Sequence, residues 1–214
     1  MTPSILLLAA IIPDRGDRPK MLDNCLRMMT DQTLQAEIFL MNDSPKDERP
    51  DITYRYRKGY EIVSRGKFDL VFFIESDDWY HRSYIETMAG AWEVAGKPEM
   101  FGIDYTYYYH LPLKKYFKYG HLGRASMMNT CMKPGLTVKW PHDNYRFTDM
   151  LLWGQFQGHT VTPADPISIA MKGHNQGMTG GTGHVNKLFR YVEDDNGFLE
   201  KHLDKESFKF YSQL

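Results

Sequence analysis

Blocks of apolar residues alternate with polar segments through the first hundred positions, and their periods predict alternating strands and helices. Ile5–Ile12 is apolar on both faces, as a strand buried in a parallel sheet must be. A polar loop runs from Pro13 to Arg18. Pro19 then suits the first position of a helix, where its missing N–H is not needed, and Met21, Leu22, Cys25, Leu26 and Met29 follow at helical spacing. Ile38–Met41 predicts a second buried strand, closed by the turn cluster Asn42-Asp43-Ser44-Pro45. Ile52–Tyr56 predicts a short strand, and Gly59–Arg65 the start of a helix. Leu70–Ile74 is the strongest strand of the sequence and runs directly into Glu75-Ser76-Asp77-Asp78. Ser83 and Glu86 make a capping-box pattern ahead of a helix marked by Ile85, Met88, Ala89, Trp92 and Ala95.

The second half is less regular. Met100–His110, rich in tyrosine, predicts one strand, and Leu111–Gly135 predicts hairpins. Asn144–Phe156 predicts a helix carrying Phe147, Met150, Leu151 and Leu152, and Ile167–Met171 a late strand. Lys172–Asn186 holds five glycines and predicts a mobile loop, and the tail from Lys187 reads as helical. No interdomain linker is visible. The pattern predicts an α/β sandwich with a mainly parallel, mixed sheet in one domain spanning 1–214. In such sheets ligands bind beyond the carboxyl ends of the strands, which singles out loops 13–18, 42–47 and 75–80.

Composition changes this picture little. The 214 residues are 42% hydrophobic and 25% charged, with a net charge of −1, so nothing points to a nucleic-acid partner. Aromatic residues are abundant, at 14%, which suits sugar stacking as well as core filling. Cys25 and Cys131 lack metal-ligand spacing and fit a reducing cytoplasm. Ile5–Ile12 is too short to span a bilayer, and with no preceding Lys or Arg it does not read as a signal core.

The chemistry concentrates after the strongest strand. Glu75, Asp77 and Asp78 crowd three carboxylates at its carboxyl end, an arrangement that a cation or solvent must relieve. Their oxygens suit Mg²⁺ or Mn²⁺, and a divalent ion there would neutralise a departing nucleotide diphosphate. An isolated acidic turn of this kind would read as solvated surface. Its place at the ligand edge, beside a second acidic loop at Asp43, favours the metal.

In order along the chain stand Ile12-Pro13, Met41-Asn42-Asp43-Ser44, Arg57-Lys58-Gly59, Ser64-Arg65-Gly66, Phe72-Phe73-Ile74 and Glu75-Ser76-Asp77-Asp78. This ordered set resembles the nucleotide-binding half (1–100) of GT-A glycosyltransferases of the large family 2 group, leaving 101–214 for the acceptor and a carboxyl-terminal lid. Glu75 stands where that family has its first Asp, and Asn42 replaces an Asp of the second loop. The chain also resembles the amino-terminal transferase domains of chlorovirus capsid-glycosylating proteins, whose setting would be the host cytoplasm.

The resemblance implies a metal-dependent transferase moving a sugar from a UDP-sugar donor to a glycan acceptor hydroxyl, with inversion by single displacement. It implies Asp77 as a direct metal ligand, and Glu75 as reaching the metal through water or binding the ribose beside Ser76. Asp43 would accept the uracil imide N–H, Arg57 would lie near the base or diphosphate, and Pro13 and Arg15 would line the nucleotide cleft. Asp149 would be the catalytic base and His174 a late-chain metal or diphosphate ligand. Each has a plainer reading beside it: an Asx-turn for Asp43, a surface cation for Arg57, a helix-dipole carboxylate for Asp149 and an exposed loop imidazole for His174. Retention by the same fold, or a non-catalytic carbohydrate-binding module, are the competing functions. A pyrophosphorylase lacks its Gly-rich loop here, a metal hydrolase its paired histidines, and a P-loop kinase its G-x-x-x-x-G-K-[ST].

Overall fold

The computed structural model describes residues 5–43, 48–178, 181, 190–194 and 197–214. Strand β1 (Leu8–Pro13) is the hub. It pairs in parallel with β2 (Glu37–Met41) on one side and β3 (Leu70–Phe73) on the other. The six-stranded sheet continues through β8 (Thr130–Met132), antiparallel to both β3 and β5 (Met100–Ile103), and ends on β9 (Gly158–Val161), parallel to β5. A second sheet runs in the order β11 (Val192–Glu193), β7 (Lys115–Gly120), β6 (Tyr105–His110), β10 (Ser168–Lys172) and β4 (Trp79–Tyr80).

Alternation along β1 and β3 explains the layers. Leu8, Ala10, Ile12, Leu70 and Phe72 face helix α1 (Pro19–Thr30) and helix α3 (Tyr84–Val94), meeting Met21, Cys25, Met28, Ile85, Met88 and Trp92. Ala9, Ile11, Val71 and Phe73 face the opposite side. There they meet Tyr56, Tyr60 and Val63 of helix α2 (Ile52–Val63), and Leu152 and Trp153 of helix α4 (Thr148–Trp153). Both faces are covered, which is why these strands are apolar throughout. Helix α2 lies close on β1 because Gly59 has no side chain: a Cβ there would sit 2.6 Å from Ile11 Cγ2. Two short helices, α5 (Phe198–His202) and α6 (Lys205–Tyr211), close the chain.

The structure corrects several sequence expectations. Ile52–Tyr56 is the first turn and a half of α2, not a strand. Met100–His110 is two strands in different sheets, parted at Asp104, whose N–H donates to Val161 and whose carbonyl accepts from His121. The capping box at Ser83 and Glu86 does not form: the Ser83 hydroxyl meets His81 Nδ1 at 2.8 Å, and Glu86 accepts from Thr33 Oγ1 at 2.6 Å. The helix expected over 144–156 is confined to α4, and β9 had no clear signal. The expected glycine-rich loop is described only at 172–178 and 181. Ser44, Pro45, His184 and the start of the predicted tail helix lie outside the described residues. No helix among the described residues is long and apolar enough to cross a membrane, and both cysteines are free and buried.

Candidate active site

The carboxyl ends of β1, β2 and β3 come level, as the backbone bonds from Asp14 N–H to Met41 O (3.0 Å) and from Ile74 N–H to Ile11 O (3.0 Å) record. Three loops leave this edge. The third holds Glu75, Asp77 and Asp78, each with a ligand oxygen within 4.8 Å of the others'. Asp77 and Asp78 are buried and Glu75 keeps a solvent-facing edge. Tyr80 Oη accepts the Glu75 N–H at 2.8 Å, and Tyr56 Oη donates to Ile74 O at 3.3 Å, so two buried phenols fix the loop from below.

Polar side chains from distant parts of the chain enter the cluster. The Arg18 guanidinium donates to Asp77 Oδ2 in a short contact. His174 Nε2 lies 3.1 Å from the same oxygen. Because His174 Nδ1 accepts from Gln176 N–H at 3.1 Å, that nitrogen carries no proton, and Nε2–H is the donor to Asp77. Asp78 Oδ1 accepts from Met171 N–H at 2.8 Å and from Lys172 Nζ at 3.4 Å, whereas Asp78 Oδ2 is buried with no protein partner.

These surroundings drive the carboxyls apart. Burial would raise Asp77, but Arg18, His174 and Lys172 outweigh it and hold Asp77 well below the ordinary carboxylate range. Burial first, then the charges of Asp78, Asp77 and Asp149, push Glu75 up to about 8 against the pull of Lys172. Burial and Asp77 push Asp78 up to about 6, again opposed by Lys172 and by the Met171 amide. Glu75 therefore keeps a proton in the folded chain that the unfolded chain releases near its ordinary value of about 4.3. Folded protein binds more protons through that window, so raising the pH from about 5 to 8 weakens the fold. Asp78 acts in the same sense up to about 6. Asp77, ionised in both states across this window, adds no slope. In metal-free buffer, urea unfolding should show wild-type stability falling relative to Glu75→Gln between pH 5 and 8; parallel pH profiles would contradict this assignment.

The other predicted residues divide between the same edge and its rim. Pro13 ends β1 beside Met41. Arg15 donates to Arg49 O at 2.7 Å and pairs with Asp51 at 3.2 Å. Asp43 is exposed at the end of β2, where Lys58 pairs with it in a short contact. Arg57 faces outward, to Asp143 at 2.7 Å and Glu61 at 3.5 Å, rather than into the acidic cluster. Ser76 is buried. Asp149 stands in the first turn of α4, ion-paired with Arg124. Burial raises its affinity for a proton, Arg124 opposes that, and the charge of Asp149 reaches Glu75 and Tyr108.

Sequence reasoning missed Arg18, Lys172, Arg55 and Arg124. Arg55 is buried and donates to Met41 O and Asp43 O, both at 2.7 Å, and to Asp51 at 2.9 Å, tying the second loop to α2. Among the tyrosines of β6, Tyr105 and Tyr109 are committed to Pro163 O and Asp194, and Tyr108 is the one whose ring lies toward Lys172. Trp79, Trp92 and Trp153 fill the core.

The donor set fits a divalent ion. It offers hard oxygens from three residues in one small volume, one of them a buried carboxylate oxygen without a partner. Glu75 and Asp77 belong to this group, and His174 is seated on Asp77.

No protein-family model matches the chain. An alignment over 108 positions, covering 41% of this chain and 30% of the other, is 30% identical to EpsH of Bacillus subtilis (strain 168), provisionally named a glycosyltransferase. Among solved structures the chain resembles S. aureus TarS. The TM-score is 0.54 over 79% of this chain and 37% of TarS at 11% identity, and 0.52 over 79% and 62% for TarS 1–349 at 12% identity. TarS 1–349 in complex with UDP-GlcNAc gives 0.50 over 78% and 59% at 12% identity. These likenesses establish the fold: the chain is an α/β GT-A sandwich with a mixed, mainly parallel sheet, as expected. Both named relatives are bacterial, and the resemblance to viral capsid-glycosylating domains gains no support from them.

Proposed function

We propose that the protein is a glycosyltransferase that uses a UDP-sugar donor and a divalent ion, Mn²⁺ or Mg²⁺, to glycosylate a glycan hydroxyl. The observation that carries this reading is the meeting of Glu75, Asp77 and Asp78 at the one edge where the parallel strands β1, β2 and β3 all end. EpsH shares sequence with this chain, and TarS, whose fold it has, is recorded with UDP-GlcNAc.

In this reading Asp77 and Glu75 hold the ion, His174 supports Asp77, and Pro13, Arg15 and Ser76 line the nucleotide cleft. A bound divalent ion supplies the counter-charge that lets a diphosphate leave. Asp43, on the open rim, accepts the uracil imide N–H once Lys58 is drawn aside. Arg57 serves the rim of the base site from outside. Asp149 accepts the acceptor hydroxyl proton as the oxygen attacks the anomeric carbon. Partial burial raises its proton affinity above that of a free carboxylate and so suits it to the task. Attack on the face opposite UDP inverts the anomeric centre.

Calorimetry with UDP, GDP and ADP, each with and without Mn²⁺, tests the reading. Binding restricted to UDP and strengthened by Mn²⁺ is the expected result. Indifference to base and metal alike would remove it.

A further inference from the structure

The acidic cluster is already provided with counter-charge by the chain itself. Arg18 caps Asp77, Lys172 caps Asp78, and His174 donates a second bond to the oxygen that Arg18 holds. Arg18 reaches this position from the loop after β1, 59 residues away in sequence. Its stem is packed from above by Gly177, where a Cβ would fall 2.6 Å from Arg18 Cγ, and the neighbouring Asp17 carboxylate accepts Met178 N–H at 2.8 Å. Arg18 feels the fields of Asp77, Asp17, Glu75 and Asp78 together. Asp77 Oδ2 already accepts from both Arg18 and His174, which fills its two lone pairs, so a divalent ion that binds this oxygen displaces one of them. An arginine freed from a carboxylate retains a planar fork suited to phosphate oxygens.

Resting on the donor reading above, we propose that Arg18 is the resting occupant of the cation site and passes to the donor diphosphate when a divalent ion takes its place on Asp77. The metal-free chain thereby keeps three crowded carboxyl groups folded without an ion. The same exchange makes ion and diphosphate bind cooperatively, since each supplies what the other's arrival leaves unpaired.

The test titrates Mn²⁺ alone, then UDP with and without Mn²⁺, into wild type, Arg18→Met and Arg18→Lys by calorimetry, with Mn²⁺-induced shifts in melting temperature as a second readout. Arg18→Met should bind Mn²⁺ alone about tenfold tighter than wild type, and gain more thermal stability from it, because no internal cation competes. Its mutual strengthening of Mn²⁺ and UDP binding should shrink by a similar factor. Should Arg18→Met fail to fold, Arg18→Lys decides: a single point charge holds Asp77 less firmly, so Mn²⁺ alone should bind a few-fold tighter and coupling should fall. Mn²⁺ affinity unchanged or weakened in the variants overturns Arg18 as resting occupant. Coupling unchanged overturns its passage to the diphosphate. If wild type binds no UDP, the donor reading and that passage fall together, while the Mn²⁺-only comparison still decides the first half.

Discussion

Asp77→Asn is expected to lower transfer turnover by roughly a thousandfold, about 4 kcal/mol of transition-state stabilisation. Asparagine keeps the size of the side chain and one oxygen to accept from Arg18 and His174, but removes the charge that would hold an ion and orient Arg18. Metal-assisted UDP binding should fall with it, and the benefit of added Mn²⁺ should vanish. Stability should drop as well, because the Arg18 guanidinium is left in a largely buried position facing a neutral amide. We expect a cost of about 2 kcal/mol, moderated by the residual exposure of both side chains. A cooperative melt with turnover lost separates the catalytic effect from unfolding. Turnover within a few-fold of wild type, measured as UDP released from a UDP-sugar with acceptor present, would contradict the role assigned to Asp77.

The second large effect belongs to Asp149. On the proposed reading Asp149→Asn removes the base and should reduce turnover by about 10² to 10⁴, while UDP binding in the presence of Mn²⁺ stays as in wild type. The same substitution has a pH signature. On the proposed reading the base must be deprotonated, so wild-type turnover should rise with pH through a value above that of a free aspartate, the direction its burial dictates. The variant should lose this acid limb. An equal loss of UDP affinity would instead mark Asp149 as a structural partner of Arg124, and an unchanged pH profile would move the base elsewhere.

How far these residues could be read beforehand depends on how local their signals are. Strands β1 and β3 announced themselves because both their faces are buried, β2 because its run Ile38–Met41 is apolar, and the acidic loop was visible because all three carboxylates lie within four consecutive positions just after β3. The helix α2 was misread at its start because Ile52, Thr53 and Tyr54 are β-branched or aromatic. The decisive pattern is Thr53, Tyr56, Tyr60 and Val63, buried at spacings of three and four, the last three of them against β1 and β3. The counter-charges were the harder part. Arg18 and Lys172 meet Asp77 and Asp78 across 59 and 94 residues, and an ion pair formed at that range leaves no periodicity in the sequence. Lys172 was hidden further by its place at the end of β10, where it looked like the polar stop of a strand. Arg124 was likewise invisible until the fold set it on Asp149.

That fold-level view explains why the site is built on loops rather than within elements. Three parallel strands, two of them buried on both faces, supply a rigid edge, and the residues that need charge or solvent occur where the strands stop. Buried Tyr56 and Tyr80 then hold the start of the acidic loop by its backbone, at Ile74 O and Glu75 N–H, and Asp78 gives only Oδ1 to the scaffold, leaving Oδ2 without a protein partner.

The most direct measurement is diffraction from crystals grown with UDP and Mn²⁺, with data collected at the manganese absorption edge. The account predicts one anomalous peak bonded to Asp77, beside Glu75, with a diphosphate oxygen of UDP on its other side and the uracil turned toward Asp43. A manganese peak remote from Asp77, or UDP seated away from the carboxyl edge of β1, β2 and β3, would contradict it.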